Sequence, residues 1–189
     1  MTILTNWVCL ENRSGVNLNQ TLTISVTANP EWPNEFPANL GDRVQGSNGS
    51  EWIFCQASAT ITANMLVAIS NAYKATTFTS ALAVSALYSI GVAEFQVSAA
   101  ATADYFWALL KANGGVAVNA VASTSMSSIL YIAGTAGMIT SSVTSNALNG
   151  IIPVSATLTT SASGPMECRI WTYITPASNM SVIGALGSA

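Results

Sequence analysis

The sequence predicts a mainly β fold: a small barrel-like β domain built from two pseudo-repeats, with an N-terminal extended arm. Three observations predict it. Residues 49–68 lie without a gap on residues 114–133 at a constant offset of 65, with identities at Gly49/Gly114, Ala57/Ala122, Ser58/Ser123 and Ala68/Ala133. Apolar residues match at Ile61/Met126, Met65/Leu130 and Val67/Ile132, and each copy runs on to a Gly-apolar pair, Gly91-Val92 and Gly150-Ile151. Self-similarity of this kind outranks local propensity, and two copies suit one closed sheet system better than a solenoid. The second observation is period-two alternation of apolar and hydroxyl residues, clearest in Leu22-Thr-Ile-Ser-Val26, which marks a half-buried strand. The third is turn chemistry: Asn48-Gly49 and Asn113-Gly114 open the two copies at equivalent places, and Asn-Gly favours tight hairpins.

In chain order, Trp7-Val-Cys-Leu10 and Leu22–Val26 are short strand candidates around the turn-forming Glu11-Asn-Arg-Ser-Gly15. Residues 28–40 differ in kind. Pro30, Pro33 and Pro37 each fix their own φ and push the preceding residue toward extended geometry, which excludes a helix or a central strand. Residues 1–40 therefore read as an N-terminal strand and Pro-rich arm, whose removal should leave a folded core. Trp7, Trp32 and Phe36 are its candidate partner-interface residues. The aromatics of the proline segment either anchor a neighbouring subunit or fold back over this chain's own sheet edge.

Residues 41–176 form the duplicated β domain, with repeats at about 41–110 and 111–176. Strands are expected at 52–56, 65–69, 90–97, 105–110, 116–121, 129–132, 150–154, 156–159 and 168–174, with an irregular crossing at 59–64 and a glycine-bearing turn at 134–137. At 81–88 Ala, Leu and Val recur, and a helix of about two turns competes with a loop. Trp52, Trp107 and Trp171 sit in apolar runs and are expected in the core. Pro176 ends the fold, and 177–189, small and uncharged, reads as a flexible or partner-docked tail.

Composition narrows the function. Charged residues make up 7% of the chain, against roughly 25% in an average soluble domain. A monomer so poor in charge repels its own copies weakly, so much of the surface is expected to lie against other subunits. The five basic residues, Arg13, Arg43, Lys74, Lys111 and Arg169, are scattered, which leaves no electrostatic footprint for nucleic acid. The first residues lack the basic region and continuous apolar core of a secretory leader. The charge-free spans 75–93 and 112–166 are too rich in Ser, Thr, Asn and Gly to read as membrane helices.

Reaction chemistry is not expected either. There is no histidine to activate a Ser or Cys nucleophile. The eight acids are single and mostly turn-associated, and Glu31 and Glu35 flank prolines rather than forming a catalytic pair. Gly134-Thr-Ala-Gly137 and Asn149-Gly150 lack phosphate-loop spacing, and no acids alternate as in a calcium loop. Cys9, Cys55 and Cys168 are odd in number and far apart, which favours buried free thiols in a reducing compartment over zinc or a disulfide framework. The sequence therefore points to no catalytic residue, no cofactor and no metal.

Gly49, Ala57-Ser58, Val67, Gly91-Val92, Trp107, Gly114, Ala122-Ser123, Gly137 and Gly150-Ile151, spread over residues 41–176, resemble the pattern of bacteriophage capsid decoration, or cement, proteins of the β-tulip or β-barrel type. The resemblance implies a homotrimer seated on the outer capsid surface, assembled in the host cytoplasm and bridging major capsid protein subunits. A carbohydrate- or receptor-binding head fibre or tail module is the alternative. A major capsid protein fits less well, since the chain is short and lacks a long charged helix.

Overall fold

The chain does not turn at Asn113-Gly114-Gly115. In the computed structural model, which describes residues 7–11, 16–19, 22–23, 38–83, 88–98, 104–126, 129–143, 146–154 and 162–177, one strand of 17 residues runs straight through this triplet. Gly114 and Gly115 have φ of +137° and +75°, left-handed values that glycine adopts without a Cβ penalty. They kink the strand instead of reversing it. The earlier Asn48-Gly49 does turn, as part of a tight 3-10 turn at Ser47–Gly49.

The elements are β1 (Leu22–Thr23), β2 (Arg43–Gly46), β3 (Ser50–Ala57), β4 (Met65–Ile69), β5 (Lys74–Thr77), the one-turn helix α1 (Ser80–Ala83), β6 (Ser89–Ala93), β7 (Asp104–Ala120), β8 (Leu130–Ile132), β9 (Ile139–Thr140), β10 (Ala147–Pro153) and β11 (Gly164–Pro176). The fold is mainly β, as expected, and the eleven strands of the described residues belong to one hydrogen-bonded sheet. Residues 32, 36, 156–159 and 178–189, on which several sequence expectations fall, lie outside the described residues.

The pairings close into two rings that share β7. In the first, β3 runs parallel to β5, β5 pairs with β4, β4 with β6, β6 meets β7 at Val92/Leu109, and β7 returns to β3. In the second, β7 runs parallel to β9, β9 pairs with β8, β8 with β10, β10 with β11, and β11 returns to β7. β7 changes partner just before its kink: residues 105–111 face β3 and residues 112–120 face β11, with the glycines at the register shift between Ala112 and Val116. The parallel pair of each ring is extended by a further bond, Ser58 N–H to Ala75 O and Val121 N–H to Ile139 O. The pseudo-repeats read from the sequence at an offset of 65 are not confirmed by these pairings.

Alternation then sorts the core. Ile53, Cys55 and Ala57 from β3, Val67 and Ile69 from β4, Ala75 from β5, Ala93 from β6, and Phe106, Ala108 and Leu110 from β7 form one buried cluster. It draws on every strand of the first ring and so fills it. The opposite faces of the same strands, including Trp52, Phe54, Leu66, Trp107 and Leu109, join a larger cluster with the apolar residues of the second ring and with Trp7 and Leu18. Gly150 marks a bulge in β10, where the register with β11 shifts between Asn149 and Ile151 and φ is +87°.

One aromatic departs from expectation. Trp52 and Trp107 are buried, but Trp171 is 56% exposed. Ile170 and Ile174 occupy the inward positions of β11, so the alternating positions Arg169, Trp171, Tyr173 and Thr175 face outward. The run Ile-Trp-Thr-Tyr-Ile reads as continuous apolar sequence, yet its period of two puts the two rings outside.

Candidate functional site

Glu51 is the second residue of β3, two positions before Ile53 and on the same face as the side chains that fill the first ring. A carboxylate at that position needs compensating charge, and the fold supplies it from three distant segments. Arg43 stands across the β2–β3 ladder from Ile53, Lys111 stands opposite Glu51 on β7, and Tyr173 comes from β11. Arg43 Nη1 donates to Glu51 Oε1 at 2.9 Å and to Tyr173 Oη at 3.1 Å. The Tyr173 hydroxyl lies 2.8 Å from Oε1 and 2.9 Å from Oε2 and shares its proton between them. Lys111 Nζ is 3.6 Å from Oε2.

The phenol ring also carries the cations. Arg43 Cζ and Lys111 Nζ stand 5.5 and 5.9 Å from the Tyr173 ring centroid, within cation–π range. Burial alone would raise the Glu51 carboxyl. The Tyr173 hydrogen bond, then Arg43 and Lys111, outweigh it and hold the group below its ordinary value. Tyr173 moves the other way, raised first by its hydrogen bond to Glu51.

Beside this cluster opens a cavity of about 330 Å³. Arg43 lines it together with the β4–β5 hairpin residues Ser70, Asn71 and Tyr73, with Ser89 at the start of β6, and with Ile53 and Ile69 at its apolar floor. The hairpin is held by Tyr73 N–H to Ser70 O at 2.8 Å. Tyr73 has φ of +56°, and its ring lies flat on Gly41: a Cβ there would stand 2.3 to 2.6 Å from three ring carbons. Gly41 is thus the residue that lets this wall close.

Of the sequence-derived candidates, Trp7 lies in the core, 1% exposed, with its ring 5.3 Å from that of Trp52 in an edge-on contact. Its surface is covered by this chain. Trp32 and Phe36 lie outside the described residues. The segment around Trp7 instead leaves Val8 and Leu10 exposed beside β2. Met126, Ile129 and Val143 are exposed on the loops around β8 and β9.

Arg43, Glu51, Lys111 and Tyr173 were not singled out by sequence reasoning, because 122 positions separate Glu51 from its phenol partner. The available signal was an acid inside the apolar strand Trp52-Ile-Phe-Cys, which demanded a cation from somewhere. Cys55 and Cys168 are buried and free. Burial pushes the Cys168 thiol up to about 12 and Cys55 higher still, so neither is a ready nucleophile. Among the described residues no three His, Cys, Asp or Glu side chains gather as a metal site, and no helix is long and apolar enough to cross a membrane. No protein-family model matches this sequence, and no curated protein and no solved structure is significantly similar to it.

Proposed function

We propose that this chain is a non-enzymatic structural protein of a virion, a capsid decoration protein that binds the outer surface of a phage head and bridges major capsid protein subunits. The observation that carries the reading is the outward face of β11. Trp171 and Tyr173 stand side by side on a rigid strand, exposed, in a chain with only thirteen charged residues of 189. Large aromatics held on a sheet lose little conformational entropy on docking and supply most of the energy of protein interfaces. Repetition over a lattice multiplies modest contacts of this kind. The sequence pattern of residues 41–176 adds the resemblance to cement proteins.

The test has two arms. Light scattering on the purified chain gives its mass in solution, expected at three times 19.5 kDa. Imaging of heads assembled with the wild-type chain and with Trp171→Ser gives occupancy. Occupancy should fall severalfold in the variant while its melting temperature stays unchanged. Equal occupancy would remove β11 from the docking face, and density absent from heads with either chain would sink the reading.

The same two rings favour a second reading, a carbohydrate- or receptor-binding module, because exposed Trp and Tyr faces stack on sugars. Glycan-array binding that disappears in Trp171→Ser, without head occupancy, would select it.

A further inference from the structure

We propose that the cavity beside Arg43 is a carboxylate-binding site, taking either a small organic acid or the acidic side chain of a docked protein. The inference stands whether or not the chain decorates a capsid. Arg43 makes both of its side-chain hydrogen bonds, to Glu51 and to Tyr173, through Nη1. Nη2 and Nε therefore keep their donors on a side chain that lines the cavity. A guanidinium with two free donors in one plane matches the two oxygens of a carboxylate.

Local charge favours the same occupant. Arg43 and Lys111 face a single carboxylate, Glu51, which leaves one positive charge in excess. On adjoining segments Glu11 Oε1 accepts the Gln45 N–H, and Asp42 Oδ2 accepts the Asn39 N–H.

The lining fits a carboxylate on a short apolar stem. Ser70 Oγ accepts the Lys74 N–H at 3.2 Å, so its own hydroxyl proton is available to donate, and Asn71 and Ser89 add further donors. Ile53 and Ile69 meet the stem, and Tyr73 closes one wall. A volume of about 330 Å³ is at the small end of ligand sites, roughly 300–1,000 Å³. It accommodates one side chain or a few-carbon acid and not an oligosaccharide.

The experiment is an amide-proton NMR titration of the full chain with propionate, glutarate and N-acetylglutamate amide, with propionamide and N-acetylglutamine amide as neutral isosteres. The acids should give saturable shifts at Ser70, Asn71, Tyr73 and Ser89, with affinity at least tenfold above the isosteres. Arg43→Gln should weaken binding tenfold or more, and Arg43→Lys should restore part of it. Because Arg43 also holds Glu51, Ser89→Leu serves as an independent variant that fills the cavity and leaves that pair intact; it should abolish the shifts. Free acids binding as well as the blocked glutamate assign the site to a small acid, and a tenfold preference for the blocked glutamate assigns it to a protein-borne side chain. Isosteres binding as tightly as the acids, silence at those four amides, or undiminished binding by Arg43→Gln would overturn the proposal.

Discussion

The hydroxyl of Tyr173 spans both oxygens of Glu51, at 2.8 and 2.9 Å, and so ties β11 to the first ring. A hydrogen bond to a charged group contributes roughly 1.5–3 kcal/mol when shielded. Tyr173 is 43% exposed, so solvent screening reduces this.

Tyr173→Phe should therefore cost about 1 kcal/mol in urea denaturation at neutral pH. Paired with Glu51→Gln in a double-mutant cycle, most of that loss should vanish. The folded Glu51 value is lowered, so its contribution is present above the ordinary glutamate value and is lost as pH falls through the folded one. Glu51→Gln should accordingly flatten the acid limb of the stability curve.

Glu94 gives the opposite slope. It is buried, Oε1 has no hydrogen-bond partner among the described residues, and burial pushes the carboxyl up to about 8. The Trp7 indole N–H favours the charged form and opposes this in part, though it stops short of hydrogen-bond geometry. The folded state holds the proton more tightly than the unfolded state. Stability from this group is thus full below the ordinary value of 4.5 and declines as pH rises toward about 8. Glu94→Gln, which mimics the neutral acid, should remove a decline on the order of 5 kcal/mol across that window. Chemical denaturation at several pH values measures it, and an unchanged slope in the variant would reject the assignment.

Gly150 tolerates no side chain. With φ at +87°, an added Cβ would lie 2.6 Å from Tyr173 O and 2.8 Å from Thr172 O, both backbone atoms of the neighbouring strand. Gly150→Ala should cost about 3 kcal/mol, the sum of left-handed strain and forced strand separation, read as a drop in melting temperature.

Truncation of residues 1–40 should not leave the core intact. Trp7 and Leu18 are each 1% exposed and Ala38 is buried, all within the main cluster. Losing a buried Trp side chain alone costs about 3–5 kcal/mol. Calorimetry of the truncated chain should show a broadened or missing transition, against the folded core that the sequence suggested.

What was legible followed local rules. β4 falls at Met65–Ile69, where its apolar run was read. Asn-Gly chemistry gave the right answer at Asn48-Gly49 and the wrong one at Asn113-Gly114, because a second glycine lets the backbone kink while both halves of β7 find partners. Trp171 was misread because hydrophobicity says what a side chain prefers, and the neighbouring Ile170 and Ile174 had already taken the inward register. The Glu51 cluster was invisible because its members meet only after both rings close.

The kink in β7 has one more consequence. The two halves of β7 serve different rings, and the outer face of the first ring shares one buried cluster with the apolar residues of the second, so opening either ring bares apolar surface of the other. Cutting the gene at the apparent repeat boundary, between residues 110 and 111, would leave each fragment its own half of β7 but expose both sides of that cluster, and the intact chain should melt in one step.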